Sequence, residues 1–548
     1  MLTASKFKQT SSKPSLQPAL LDRLSLAFLG FGLVARLVQY AANRSLWFDE
    51  ASLAINLVNR SYGELLKQLD HGQAAPPLFL WGEKLAIQLL GNHEYALRLL
   101  PLLAGILSLG LFYHLAKQLT TGITTPIAIA LFACLEYTVY YAGEVKPYMS
   151  DLTIALWLFL LLMPLHCLYL SRKKRIWLSV VGAVCIWASF PCIFVLAAVE
   201  LINLLKLRLW QRSRLELQTW LLARLPMYGV WLTSFGVLYT LVIRQALDNE
   251  GLVASWAVRY PDSWFDVVWL LDALGQFFYR PLGFLGFTDA IAAVVFICGC
   301  VYLYRRDRWQ LALLNAPLLV TLIASYFHKY PFRGRLILFL APFALLIVAE
   351  GLTVCMHQLT QQRRYRMALS AVALIALLVF PVGRMSLNIV KPERFLFDHV
   401  RPVLDYIQTN WQAGDRLYVL PGPLQQFLYY RQRYDFPPEA TLLSPHPVPS
   451  NRRLTAAELL SYRQDLAQFK DQPRVWLLMA RKRPQVETAL LAELKQWGQP
   501  LDVVKQPLAV GLLLDLSQSH PFDSVSLTTA TPLANAGLSA ESGAAKPR

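Results

Sequence analysis

Four polar groups interrupt an otherwise apolar chain in a pattern that could support group transfer. The first is Asp49-Glu50, adjacent carboxylates that follow the first long apolar segment, residues 24–42. The second is the stretch 70–77, Asp-His-Gly-Gln-Ala-Ala-Pro-Pro, which contains His71. The third is Glu144-Val145-Lys146-Pro147-Tyr148. The fourth runs from His328 through Lys329, Tyr330, Pro331, Phe332, Arg333 and Gly334 to Arg335. An ionised Asp in hydrogen-bond reach of a hydroxyl can take its proton as the oxygen attacks. Arg333, Arg335 and Lys146 can neutralise charge growing on a departing phosphate, and Gly334 lets the backbone approach it closely. A phosphate held at headgroup depth most simply belongs to a lipid. Trp47 and Phe48 precede the acids, and aromatic residues favour that depth.

Each group also has a plainer reading. Two acids at the exit of a span can be ordinary loop charges. A basic turn can be tolerated where other basic loops outvote it, and His71 can be only a loop residue.

The elements that must position these groups are membrane spans. Of 548 residues, 55% are hydrophobic and 16% charged, with a mean hydropathy of +0.38, the composition of a polytopic membrane protein. The net charge of +17 sits largely in short clusters between apolar stretches. That follows the positive-inside rule and does not call for nucleic acid. The seven cysteines lie in or beside apolar segments, show no zinc-site spacing and are absent from the polar C-terminal region. Lys6, Lys8, Lys13 and Arg23 precede the first apolar segment, which predicts an uncleaved helix and a cytoplasmic segment 1–23.

Basic clusters at 172–175, 206–214, 305–308 and 363–366 mark the cytoplasmic side. Between them, apolar stretches pair as 176–189 with 192–205, 221–243 with 284–303 and 309–326 with 336–353, and 367–383 exits last. Residues 76–90 look apolar, but they are short and contain Glu83 and Lys84. Counting them as a span would put 144–148 in the cytoplasm, so a helix at the outer interface is expected there. Spans at 99–117, 125–142 and 151–169 then close the count at about eleven. The predicted transmembrane domain covers 24–384, with outer loops 43–98 and 244–283, the second rich in Trp, Tyr and Phe.

Beyond it, 415–420, 474–479 and 501–504 read as strands and 400–411 and 484–497 as helices. They predict a small extracytoplasmic α/β domain over 385–520, followed by a disordered tail, 521–548.

Asp-Glu after the first helix, a Pro-Pro-Leu segment and a Glu-x-Lys-Pro-Tyr turn resemble glycosyltransferase family 39 of the GT-C enzymes. That group includes protein O-mannosyltransferases and lipid A aminoarabinose transferases. The resemblance covers about residues 20–350. It implies a GT-C fold, a polyprenyl-phosphate sugar donor used at the outer leaflet, inversion at the anomeric carbon and Asp49 as catalytic carboxylate. It also matches Pro331-Phe332-x-Gly334-Arg335 to the loop that contacts the carrier phosphate. Many relatives have His directly before the paired prolines, where this chain has Ala75.

The sequence therefore reads as an α-helical polytopic membrane glycosyltransferase of the plasma (inner) membrane, with its active site on the extracytoplasmic face. Its partners are a polyprenyl-phosphate sugar, a glycan, lipid or protein acceptor, and membrane lipids. Asp49 and Glu50 are the expected catalytic pair. Arg333, Arg335 and Lys146 are expected at the donor phosphate, and Glu144, Tyr148, His71 and His328 in substrate binding. Glu50 supports Asp49, orients the loop or binds a divalent metal; the sequence requires no metal and names no cofactor. The rival reading is a lipid-linked oligosaccharide flippase or polysaccharide polymerase, which would place ionisable groups along a mid-membrane path.

Overall fold

The computed structural model describes residues 17–208, 211–257, 259–359, 364–392, 398–444, 456–480 and 498–517. Helix α1 (Pro18–Ala41) has 24 residues, enough to cross a hydrocarbon core of ~30 Å. It starts six residues before the expected span boundary, on Pro18, whose missing N–H costs nothing at a helix start. Two short helices follow, α2 (Phe48–Asn59) and α3 (Pro77–Leu90). With 14 residues, α3 is too short to span, and protein buries its Glu83 and Lys84. Helix α4 (Glu94–Leu119) is long again, and α5 (Thr124–Cys134) and α6 (Glu136–Tyr140) form a pair bent by 59°.

The chain continues through α7 (Tyr148–Leu162), α8 (Arg172–Ala188), α9 (Cys192–Leu207) and α10 (Arg214–Leu238). Short α11 (Arg244–Leu247), α12 (Glu250–Ala257) and α13 (Val267–Tyr279) occupy the aromatic loop. Trp264 and Trp269 of that loop pack on Tyr326, with ring centroids 5.8 and 5.2 Å apart. Then come α14 (Thr288–Arg306), α15 (Arg308–Tyr326), α16 (Ala341–Leu359), α17 (Arg364–Leu374) and α18 (Phe380–Val390).

Among the described residues, seven helices are long and apolar enough to cross a membrane, or eight with the bent pair. The protein is thus a multi-pass membrane protein. Reaching the expected eleven also requires α7, α8 and α9, which have 15, 17 and 16 residues. The span 334–357 is the central one: 89% of its apolar window is buried, against 22–44% for the other six. Its contact with α14 is close enough to demand glycine. A Cβ on Gly299 would lie 2.1 Å from the Ile347 carbonyl oxygen, and one on Gly351 2.0 Å from that of Val295.

The C-terminal domain holds a five-stranded sheet in the order β2-β1-β3-β5-β4. Strands β1 (Arg416–Val419), β2 (Thr441–Leu443) and β3 (Val475–Ala480) are parallel; β5 (Ala509–Asp515) is antiparallel to β3 and to β4 (Gln499–Gln506). Helices α19 (Val400–Thr409), α20 (Leu424–Tyr430) and α21 (Ala456–Ala467) pack around it. Leu417, Val419, Trp476 and Leu478 bury one sheet face with α19, while Tyr418, Val475 and Leu477 bury the other with Tyr462 and Leu466. Burial on both faces is why β1 and β3 read as unbroken apolar runs. The three expected strands are present as β1, β3 and β4, whereas β2 and β5 were not expected. The expected helix 484–497, the tail 521–548 and most of segment 1–23 lie outside the described residues.

Candidate active site

Asp49 and Glu50 lie in the first turn of α2, and a helical step of ~100° sends their side chains to different faces. Glu50 points inward and is fully buried. Its Oε2 accepts from Arg44 Nη1 at 2.9 Å, Arg98 Nη2 at 2.7 Å and the Trp47 N–H at 3.2 Å. Its Oε1 accepts from Arg98 Nε at 3.1 Å and the Val145 N–H at 2.9 Å. Both oxygens accept hydrogen bonds from buried partners, an arrangement that suits a structural hub. It ties the loop before α2 to α4 and to the 144–148 turn.

Asp49 faces the opposite way and keeps 15% side-chain exposure. Arg335 Nη2 lies 2.6 Å from its Oδ2, and Lys146 Nζ 3.1 Å from its Oδ1. Gln73 Nε2 donates to Oδ1 at 3.0 Å, and the Gln73 Oε1 accepts from Lys146. Burial raises the Asp49 pKa, but Arg335, Lys146 and Gln73 outweigh it and hold the carboxyl well below the usual range. It stays ionised.

Arg335 enters from the start of the central buried span, where Gly334 adopts φ +53°, a left-handed conformation that suits glycine. The guanidinium lies between the rings of Trp47 and Tyr148, 5.5 and 5.3 Å from their centroids. Glu144 is fully buried beside it, 3.8 Å from Arg335 Nη1, with neither oxygen hydrogen-bonded. Burial, with Glu50 and Asp49 nearby, pushes the Glu144 carboxyl up to about 7 against the pull of Arg335 and Arg44.

The fold thus gathers Asp49, Lys146, Arg335, Glu144 and Tyr148 from three distant stretches of sequence. Three other expected residues lie apart from this cluster. Arg333 pairs with Asp272. His328 places Nε2 2.9 Å from the Pro261 carbonyl and stacks on Tyr260, fixing the aromatic loop. His71 is exposed, and its backbone carbonyl accepts from Gln73. Sequence reasoning missed Gln73, although it lies in the 70–77 segment, and read Trp47 only as a membrane anchor. Arg44 and Arg98 carried no signal beyond being charges near apolar helix ends. Among the described residues, no group of three or more His, Cys, Asp or Glu side chains is arranged to hold a metal ion.

The cluster therefore offers one carboxylate as a proton acceptor and two cations as anion ligands, beside aromatic rings. Residues 74–232 match the dolichyl-phosphate-mannose-protein mannosyltransferase family. The GT-C glycosyltransferase resemblance read from the motifs is upheld there. The mannosyltransferase match takes in Glu144, Lys146 and Tyr148 and leaves Asp49 and Arg335 outside it. Solved structures similar to the chain include ArnT from Cupriavidus metallidurans in the apo state, 14% identical, covering 90% of this chain and 98% of that one, with a TM-score of 0.48. The same enzyme bound to undecaprenyl phosphate gives 14% identity, 90% and 97% coverage and a TM-score of 0.44. The Archaeoglobus fulgidus oligosaccharyltransferase in complex with zinc and sulfate gives 11% identity, 82% and 67% coverage and a TM-score of 0.43. No curated protein matches the chain.

Proposed function

We propose that the protein is an integral-membrane glycosyltransferase that moves a sugar from a polyprenyl-phosphate carrier to an acceptor hydroxyl on the extracytoplasmic face. The observation that carries this reading is Asp49, a largely buried carboxylate, ionised before it takes up a proton, 2.6 Å from Arg335 and 3.1 Å from Lys146. The acceptor oxygen attacks the anomeric carbon as its proton passes to Asp49. The bond from that carbon to the phosphate oxygen breaks, and its electron pair leaves with the polyprenyl phosphate. This single displacement inverts the anomeric carbon.

The leaving group gains negative charge as it departs, and Arg335 and Lys146 neutralise it. Donor phosphate competes with Asp49 for the same two cations. As they turn towards the phosphate, the carboxylate is released from its partners and becomes a better proton acceptor. Glu144 is a neutral neighbour below about pH 7, leaving the net positive charge of the pocket available to phosphate.

Charge supports the proposed side of the membrane. Arg306 pairs at 2.9 Å with Glu350, which lies fifteen residues after Arg335 and in the third turn of α16. The 305–308 cluster thus meets the central span well beyond Arg335, which supports an extracytoplasmic site. The test is incubation of purified protein with a panel of radiolabelled polyprenyl-phosphate sugars. Carrier-dependent transfer or slow hydrolysis is expected, and its absence across the panel, with folded protein, overturns the reading.

A further inference from the structure

The loop that delivers Asp49, residues 43–47, contains no regular helix or strand. Its backbone must therefore find partners elsewhere. Much of what it finds comes from the C-terminal domain, hundreds of residues away. The Leu46 N–H donates to the Tyr430 hydroxyl at 2.8 Å. That hydroxyl donates in turn to Glu94 Oε1 at 2.8 Å, and Tyr430 is fully buried. The Ser45 N–H lies 3.3 Å from His399 Nδ1, the Ser45 hydroxyl 2.8 Å from the same nitrogen, and Ser45 Oγ accepts from the Arg401 N–H at 3.1 Å. Arg401 Nη2 donates to the Asn43 carbonyl at 2.7 Å, and Arg401 and Arg433 both pair with Glu94.

These contacts are not a rim around a loose interface. Leu46, Ala51, Ala54, Leu57 and Val145 share one apolar core with Val403 and Phe427 of the C-terminal domain. His399 is pushed down to about 4 by burial and by Arg401, so its ring is neutral and can accept from Ser45. The loop is held from both sides. Glu50, Arg44 and Arg98 secure it towards the spans; His399, Arg401 and Tyr430 secure it from the α/β domain.

We propose that the C-terminal α/β domain is a clamp that fixes the 43–47 loop, and through it Asp49, in the reactive position, with Tyr430 and His399 as positioning residues. The proposal rests on the reading of Asp49 as the catalytic carboxylate. Arg335 and Lys146 are carried by other elements, the start of the central span and the 144–148 turn, and keep Tyr148 and Gln73 as partners when the loop loosens. A loosened loop should therefore reduce turnover and leave donor affinity in place.

The test uses the purified full-length chain carrying Tyr430→Phe, which keeps the ring and removes the O–H, or His399→Ala. Hydrogen exchange of peptides covering 43–48 is read beside kinetics at varied donor concentration. Faster exchange confined to that loop is expected, with kcat lower on the order of 10- to 100-fold and donor KM nearly unchanged. Glu94→Gln is read in the same way if either variant fails to fold. Unchanged exchange at 43–48 overturns the clamp, as does faster exchange with wild-type kcat or a defect carried by donor KM. Asp49→Asn run in parallel separates the two readings. An active Asp49→Asn removes the carboxylate role, while the exchange data still decide whether the domain holds the loop.

Discussion

Replacing Arg335 should produce two linked effects that few other sites could produce together. Its guanidinium lies 2.6 Å from Asp49, keeps 22% side-chain exposure and is bracketed by Trp47 and Tyr148. A charge-assisted hydrogen bond contributes ~1.5–3 kcal/mol net, and partial exposure argues for about 2. At ~1.4 kcal/mol per tenfold, Arg335→Ala should lower turnover about 30-fold. Lysine keeps the charge and loses the planar fork, so Arg335→Lys should recover part of that loss. The second effect is on pH. Asp49 acts as an ionised base and is held low first of all by Arg335 among its charged partners. Without Arg335 the carboxyl rises, and the acid limb of kcat/KM, which reports the free enzyme, should move to higher pH. The assay is sugar transfer by purified protein at varied donor and acceptor concentrations over a pH series. A defect in acceptor use alone, or full turnover with an unmoved acid limb, would refute this reasoning.

The Glu50→Gln variant should be a folding defect, because it leaves Arg44 and Arg98 buried without a counter-charge. Removing one partner of such a group costs ~3–5 kcal/mol, to be read as a marked drop in thermal midpoint; an unchanged midpoint would contradict its role as a hub. Glu144→Gln should flatten the pH dependence of stability. The folded Glu144 keeps a proton that the unfolded chain releases, so wild-type stability falls as pH rises from the ordinary carboxylate range to about 7; equal slopes in both proteins would count against this. Gln73→Ala should slow transfer by about 3- to 10-fold through loss of one polar contact to Asp49, whereas His71→Ala should stay near wild type. Radiolabel kinetics of the two side by side would expose a reversed order.

The sequence carried the location of the site better than its internal roles. Asp49 was legible because a charge at the end of an apolar span needs a reason. Arg335 was legible because its turn is basic where orientation disfavours it. Adjacency in sequence did not say that Glu50 and Asp49 point to different faces, since that depends on α2 being helical from Phe48. Arg333 and Arg335 were both expected at the donor phosphate, Arg335 the more strongly because it follows Gly334, and one meets Asp272 and the other Asp49. Gln73 is an uncharged loop residue whose importance comes wholly from tertiary proximity. In the C-terminal domain, β1 and β3 announced themselves as buried apolar runs. The three residues of β2 were too short to signal, and β5 was hidden because Gly511 breaks an otherwise apolar stretch. Nothing local linked Tyr430 to Leu46 across 384 positions.

The central claim is that Asp49 takes the acceptor proton during transfer from a lipid phosphate. It is tested most directly by Asp49→Asn, with turnover and donor binding measured on the same folded preparation. Asparagine keeps the shape and removes the base. Transfer should fall by ~10²- to 10⁴-fold, with donor binding retained or tightened because Arg335 and Lys146 lose their competing carboxylate. Near-normal transfer by Asp49→Asn would contradict it.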